Sequence, residues 1–149
     1  MIRLKRIDPA KSREVLDYLQ VTCLPGDEPC EYKPADQWVI AMDGDIPVAF
    51  GCVRPTPNDP GTWYLARAGV IGSARGKGLQ KRLIRWRVSA AKAAGATLIV
   101  TDCTNDNAAS ANSLIRAGFR VYDPQTAWAM PTSIYWRLDL CPHSDSPAT

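Results

Sequence analysis

Between Arg75 and Lys92 the chain carries seven basic residues (Arg75, Lys77, Lys81, Arg82, Arg85, Arg87, Lys92) and no acidic one, and the stretch opens on Arg75-Gly-Lys-Gly78. A glycine-rich turn running into a helix is chemistry for an anion. The first helical N–H groups have no intrahelical partners, and the helix dipole adds partial positive charge beside them. Gly76 and Gly78 have no Cβ, so a phosphate can approach the backbone closely, while Arg75 and Lys77 supply full charges. The glycines by themselves leave a second reading open, in which they only turn the chain and the basic residues form a solvated helix face. Two phosphate motifs are excluded. A Walker A loop counted from Gly72 is one residue short and has Gly78 where a Ser or Thr must hold magnesium. The dinucleotide fingerprint needs a third glycine at position 81, which is Lys.

The elements that must position this segment follow from periodicity and punctuation. Residues 2–7 alternate as a strand, and Asp8-Pro9 opens a helix over about 10–21 with Val15, Leu16 and Leu19 inward. Three prolines and a glycine make 24–34 a loop. Trp38–Met42 and Ile46–Val53 flank Asp43-Gly-Asp45, a hairpin signal, and a second turn region at 55–61 leads to a long strand from Trp63 to Ile71. Leu79, Leu83, Trp86, Ala90 and Ala94 recur at helical spacing, so Gly76 to Ala94 reads as an amphipathic helix stopped by Gly95. Thr97–Thr101 is a short apolar run suited to a buried, parallel-paired strand. Asn107–Ala117 reads as a helix stopped by Gly118, and Phe119–Tyr122 and Ser133–Leu140 as two last strands. Residues 1–140 are read as one domain and 141–149 as a loose tail.

Val70, Arg75, Gly76 and Gly78 stand in the register V-x-P-x-x-R-G-x-G, with Leu79 and Leu83 continuing into the helix; Asn107 and Ser110 begin an N-x-x-[AS] motif followed by Arg116, Gly118 and Phe119. In these paired motifs and in its element order the chain resembles the GNAT superfamily of acyl-CoA-dependent N-acyltransferases. The resemblance implies an α/β (α+β) fold: a mixed, mostly antiparallel central sheet with one splayed parallel strand pair and flanking helices. It implies acetyl-CoA as co-substrate, with no metal. The amides of Arg75, Gly76, Lys77, Gly78, Leu79 and Gln80 would cradle the CoA diphosphate. The pantetheine arm would lie between the strand ending at Val70 and Ile71 and the Thr97–Thr101 strand. A backbone N–H there would polarise the thioester carbonyl. Asn107 would bond the pantetheine, and Ser110 would face its sulfur end. A neutral amine would then attack directly, so that the cysteines need not react.

The chain departs from that pattern at three places. Ser73 and Gly72 replace the usual polar residue and proline, which backbone-mediated binding tolerates. Leu114 stands where many members carry the tyrosine that protonates the departing thiolate. Ser113, about 100° round the helix, Tyr122 and water are the alternatives. The 62–71 strand has no acid, so the candidate base is Asp27, clustered with Glu28 and Glu31 in the proline-rich loop; a solvated acidic loop is the bland reading. Asp102 and Asp106 read as turn or N-cap residues, Arg67 as an orienting group or a structural ion pair, and Trp128 as a lining residue of the acceptor pocket or a packing residue.

At 149 residues the chain has room for one domain that buries roughly 70% of its unfolded surface without metal or disulfide. Hydrophobic residues are 46% and charged residues 22%, which excludes a disordered or fibrous class. The net charge of +3 conceals a body with 11 basic and 15 acidic residues outside the 75–92 stripe. Five cysteines without a C-x-x-C pair and one histidine give no zinc spacing and point to reduced thiols in the cytoplasm. No apolar leader or membrane-spanning run is visible. The expected acceptor is a small-molecule or peptide amine, with no nucleic-acid or membrane partner, and a homodimer stays open. The stripe lacks the interleaved exposed aromatics of a nucleic-acid surface and matches no recognised nucleic-acid module. A non-catalytic CoA-binding or protein-interaction domain of the same fold is the rival reading, motivated by Leu114.

Overall fold

The computed structural model describes residues 1–124 and 130–140. Its elements are β1 (Ile2–Ile7), α1 (Pro9–Cys23), β2 (Gln37–Asp43), β3 (Ile46–Thr56), β4 (Asp59–Val70), α2 (Leu79–Ala93), β5 (Leu98–Thr104), α3 (Ala108–Arg116), β6 (Arg120–Tyr122) and β7 (Ser133–Asp139). The strands form one sheet in the order β1-β2-β3-β4-β5-β7-β6. Every neighbouring pair is antiparallel except β4 and β5, which run parallel.

Alternation along the strands sorts the sheet into two faces. Trp38, Ile40, Phe50 and Cys52 pack with Leu16, Leu19 and Cys23 of α1. Their neighbours in sequence turn the other way: Val39, Ala41 and Val48 pack against Leu79 and Leu83 of α2. Further along that second face, Trp63, Leu65, Ile99, Cys103 and Trp136 meet Ile84 and Ala91 of α2 and Leu114 of α3. α1 comes so close to β4 that a Cβ placed on Gly69 would stand 2.5 Å from Cys23 Cβ, so only glycine fits there.

Several boundaries differ from the sequence reading, each for a tertiary reason. The 55–61 turn region is mostly strand, because β3 and β4 continue their hairpin to Thr56 and Asp59. β5 does not stop at Thr101 but runs to Thr104, drawn out by pairing with β7 as far as Ser133. α2 begins at Leu79, three residues later than expected, because Gly76 and Gly78 adopt left-handed φ of 80° and 76°. Phe119, read as strand, lies before β6 and is buried in the core beneath α2 and α3. The tail from 141 and Trp128 lie outside the described residues.

Candidate active site

β4 and β5 share a ladder only over Thr62–Leu98, Trp63–Ile99 and Tyr64–Val100. Beyond it they part. At the base of the fork a side chain replaces the ladder: Thr101 Oγ1 donates to Leu65 O at 2.9 Å. The gap opens into a cleft of about 680 Å³, walled by Leu65–Ala66 and Ala68–Val70 of β4, Thr101–Thr104 of β5, the start of α2, and Asn107, Ser110 and Ser113 at α3.

The direction of the β4 amides decides what this cleft can do. Gly51 pairs with Ala68 and Val53 with Leu65, so β3 advances two residues while β4 advances three, and the extra residue is a bulge at 66–68. Past the bulge, Ile71 N–H donates to Val48 O of β3 at 2.9 Å. Successive N–H groups of a strand face opposite edges, so the Val70 N–H faces away from β3, toward the fork. Of the two amides expected at this point, Val70 faces the cleft and Ile71 is held by β3.

At the mouth of the fork the chain makes a short 3-10 turn over Gly72–Ala74 and then the glycine turn. A Cβ on Gly72, Gly76 or Gly78 would meet nothing within 4 Å, so the backbone lies open there. The first α2 bond runs from Arg82 N to Gly78 O at 3.2 Å, and Gly78 has no side chain with which to cap the amides before it. No acidic residue occupies the first turn. These uncapped donors fit a diphosphate. Arg75 departs from the expected cradle: its N–H bonds Gly72 O (3.3 Å) and its Nε bonds Val70 O (3.3 Å), so the open amide series begins at Gly76.

Across the cleft, Asn107 and not Asp106 caps α3, its Oδ1 accepting from Ser110 N at 3.0 Å. Asn107, Ser110 and Ser113 all line the cleft, and Ser113 Oγ donates back to Ala109 O at 3.1 Å. Leu114 is buried in the α2–α3 core. Tyr122 sits on the edge strand β6 under the Arg137 guanidinium, and Asp27 is exposed in the loop after α1; neither lines the cleft. That loop is tied down by Arg67, which donates to Glu28 O (2.7 Å) and Gln20 Oε1 (3.3 Å). Arg67 therefore acts through backbone and amide oxygens.

Two residues in this region take a place that differs from the sequence reading, in which Asp102 is a turn or N-cap residue and Arg87 a member of the basic stripe. Asp102 is the acidic residue among the described cleft lining. It points to the α1 face, opposite Thr101 and Cys103, and its Oδ1 accepts from Tyr64 OH at 2.6 Å. Burial and the Asp102 bond push the Tyr64 phenol well above its ordinary range, so it stays protonated and remains the donor. A strand continued past Thr101 puts Asp102 on the face opposite α2 and α3. The other is Arg87, counted among the surface cations. Its side chain is 4% exposed and lines the cleft. Burial holds its pKa down to about 10, so at neutral pH it remains a cation. Its position four residues after Leu83, on the inward stripe, was the cue.

Among the described residues no group of three or more His, Cys, Asp or Glu side chains is arranged to hold a metal ion. Residues 7–119 match the sequence profile of the acetyltransferase (GNAT) family. No curated protein sequence matches the chain. Among solved structures, an acetyltransferase of Bacillus subtilis in complex with CoA superposes with a TM-score of 0.75 at 20% identity, covering 95% of this chain and 100% of that one. A Salmonella typhimurium protein solved with its cofactor acetyl-CoA gives 0.73 at 16% identity, covering 100% and 99%. The ribosomal-protein-S18-alanine N-acetyltransferase of Escherichia coli gives 0.77 at 11% identity, with both chains covered in full. At these identities the superpositions show the shared fold.

Proposed function

Since the chain belongs to the GNAT family of acetyltransferases, we propose that it transfers an acetyl group from acetyl-CoA to a primary amine by direct attack. One observation carries this reading. A strand fork with an outward-facing Val70 amide opens onto an uncapped, glycine-lined helix start. Phosphate at Gly76–Gln80 and a thioester carbonyl at Val70 are the two groups such a cleft suits.

On this reading the chain contributes positioning and proton handling. The Gly76–Gln80 amides hold the diphosphate, and the Val70 N–H stabilises negative charge on the carbonyl oxygen as the amine nitrogen attacks. Asp102, steadied by the Tyr64 phenol, accepts the proton that the acceptor's ammonium must lose before it can attack. The C–N bond forms, the C–S bond breaks, and CoA leaves as a thiolate that takes up a proton. Ser113, a cleft-lining hydroxyl on α3, passes that proton from solvent. The amine is delivered from the α1 face, where Asp102 lies.

The test is thiol release from acetyl-CoA in the presence of spermidine, free lysine, or a tripeptide with an open N-terminus. Amine-dependent release with formation of the N-acetyl product supports the proposal; no release with any of the three contradicts it. A CoA-binding domain without catalysis is the second reading, favoured by Leu114, whose buried side chain offers no proton. Sustained turnover with any amine rejects that second reading.

A further inference from the structure

The β4 bulge needs something to hold it. At a bulge the ladder is broken and carbonyls on both strands lose their partners. Arg87 supplies them. Its NH1 donates to Cys52 O of β3 at 3.4 Å and to Ala66 O of β4 at 3.3 Å, while Nε donates to Leu83 O of its own helix at 3.2 Å. Among the described residues no carboxylate lies at ion-pair distance from it. A buried guanidinium without a carboxylate is costly, and here its donors reach backbone on three elements. The sequence makes room for it at one position: a Cβ on Gly51 would come within 3.2 Å of Arg87 Cδ and Nε.

The consequence is one of parity. Leu65 C=O points to β5, where Thr101 meets it, and Ala66 C=O points toward Arg87 and Cys52. With unbroken alternation from there, Ala68 and Val70 would turn their amides to β3, and Ile71 would face the fork. The extra residue reverses this: Ile71 bonds Val48, and Val70 faces the cleft. We propose that Arg87 is a positioning residue that staples the β4 bulge and thereby sets the Val70 amide, in place of Ile71, as the donor facing the thioester. Arg87 does not touch the acyl group in this role; it acts through the backbone between Ala66 and Val70.

This inference rests on the transfer reading, but one of its tests does not. Arg87→Lys keeps the charge but is shorter and loses the Nε donor that anchors the side chain to Leu83 O. Hydrogen–deuterium exchange of the peptide spanning 65–71 is measured on the protein alone, with no acetyl-CoA. Exchange there is expected to rise ~10-fold while the 37–43 peptide is unchanged, the sign of a local opening. Titration with CoA is expected to give the wild-type affinity, and kcat for thiol release is expected to fall ~100-fold, the size of effect of misplacing a reacting group by about 1 Å. Gly51→Ala, which crowds Arg87 without removing it, is expected to reproduce the pattern more weakly, and it carries the test should Arg87→Lys not fold. Unchanged exchange at 65–71 in both variants overturns the proposal. So does a loss of kcat matched by an equal loss of CoA affinity, which marks general damage. If exchange rises and CoA binds but the wild type turns over no amine, the transfer reading fails and the staple stands.

Discussion

An amine in water at neutral pH carries a proton it must lose before it can attack a carbonyl, and the proposed acceptor for that proton is Asp102. Its neighbour Tyr64 donates to one carboxylate oxygen and is itself kept protonated by burial and by that bond. Asp102→Asn keeps the shape and removes the base. The expected result is a kcat/KM for the amine lower by ~100-fold, with acetyl-CoA affinity unchanged, since Asp102 sits on β5 and not among the amides of the glycine turn. A Tyr64→Phe variant should fall less, because it loosens the carboxylate without removing it. Steady-state kinetics with the best amine of the panel checks both. At this scale the sequence was only partly legible. Gly76, Gly78, Asn107 and Ser110 could be found because their motif register is local. Asp102 cannot be placed from local signals, since β5 reaches Thr104 only through its pairing with β7.

At the scale of elements, the α2 start is the proposed anion site, and Gly78 caps it in a conformation that L side chains resist. A matched comparison separates strain from binding. Gly78 and Gly95 stand at opposite ends of α2, both at positive φ (76° and 100°) and both with open space where a Cβ would go. Gly78→Asp and Gly95→Asp should each lower stability by roughly 1 kcal/mol. CoA binding should be lost in Gly78→Asp alone, where the carboxylate occupies the phosphate's place. Thermal melts and CoA titration of the two variants check this. The helix, its glycines and the hairpin at Asp43–Asp45 were legible because punctuation and periodicity are local signals. The bulge in β4 was not. Gly51 and the small residues Ala66, Ala68 and Gly69 permit it, but it is fixed by Arg87 reaching from another element.

For the molecule as a whole, the basic stripe divides into different uses. Arg87 is buried, and Arg82 ties α2 to β1 by donating to Ile2 O at 3.0 Å. Arg6 in turn stacks on Trp86, 4.7 Å from the ring centroid. Lys77 is exposed beside the open amides and is the cation that the proposed function assigns to phosphate. Charge counted along the chain overstated the anion surface, because burial depends on packing that a count cannot see. Burial also sets the pH response. Cys23, Tyr32, Tyr64 and Tyr122 all have their protonated forms favoured by burial, and Cys52 is pushed up from 9.0 to about 12. Unfolding exposes these groups, so above about pH 9 the unfolded chain binds fewer protons than the fold, and stability falls as pH rises. Arg87 has the opposite sign but acts only above its pKa of about 10. The expected outcome is a Tm that is level near neutrality and drops between about pH 8.5 and 10, as followed by circular dichroism.

The most direct measurement is calorimetric titration of acetyl-CoA into the full chain. Saturable one-to-one binding in the micromolar range is predicted, abolished by Gly78→Asp and kept by Gly95→Asp. No saturable heat up to ~1 mM acetyl-CoA, where a site would be worth no more than about 4 kcal/mol, or equal binding by the Gly78→Asp variant, would contradict it.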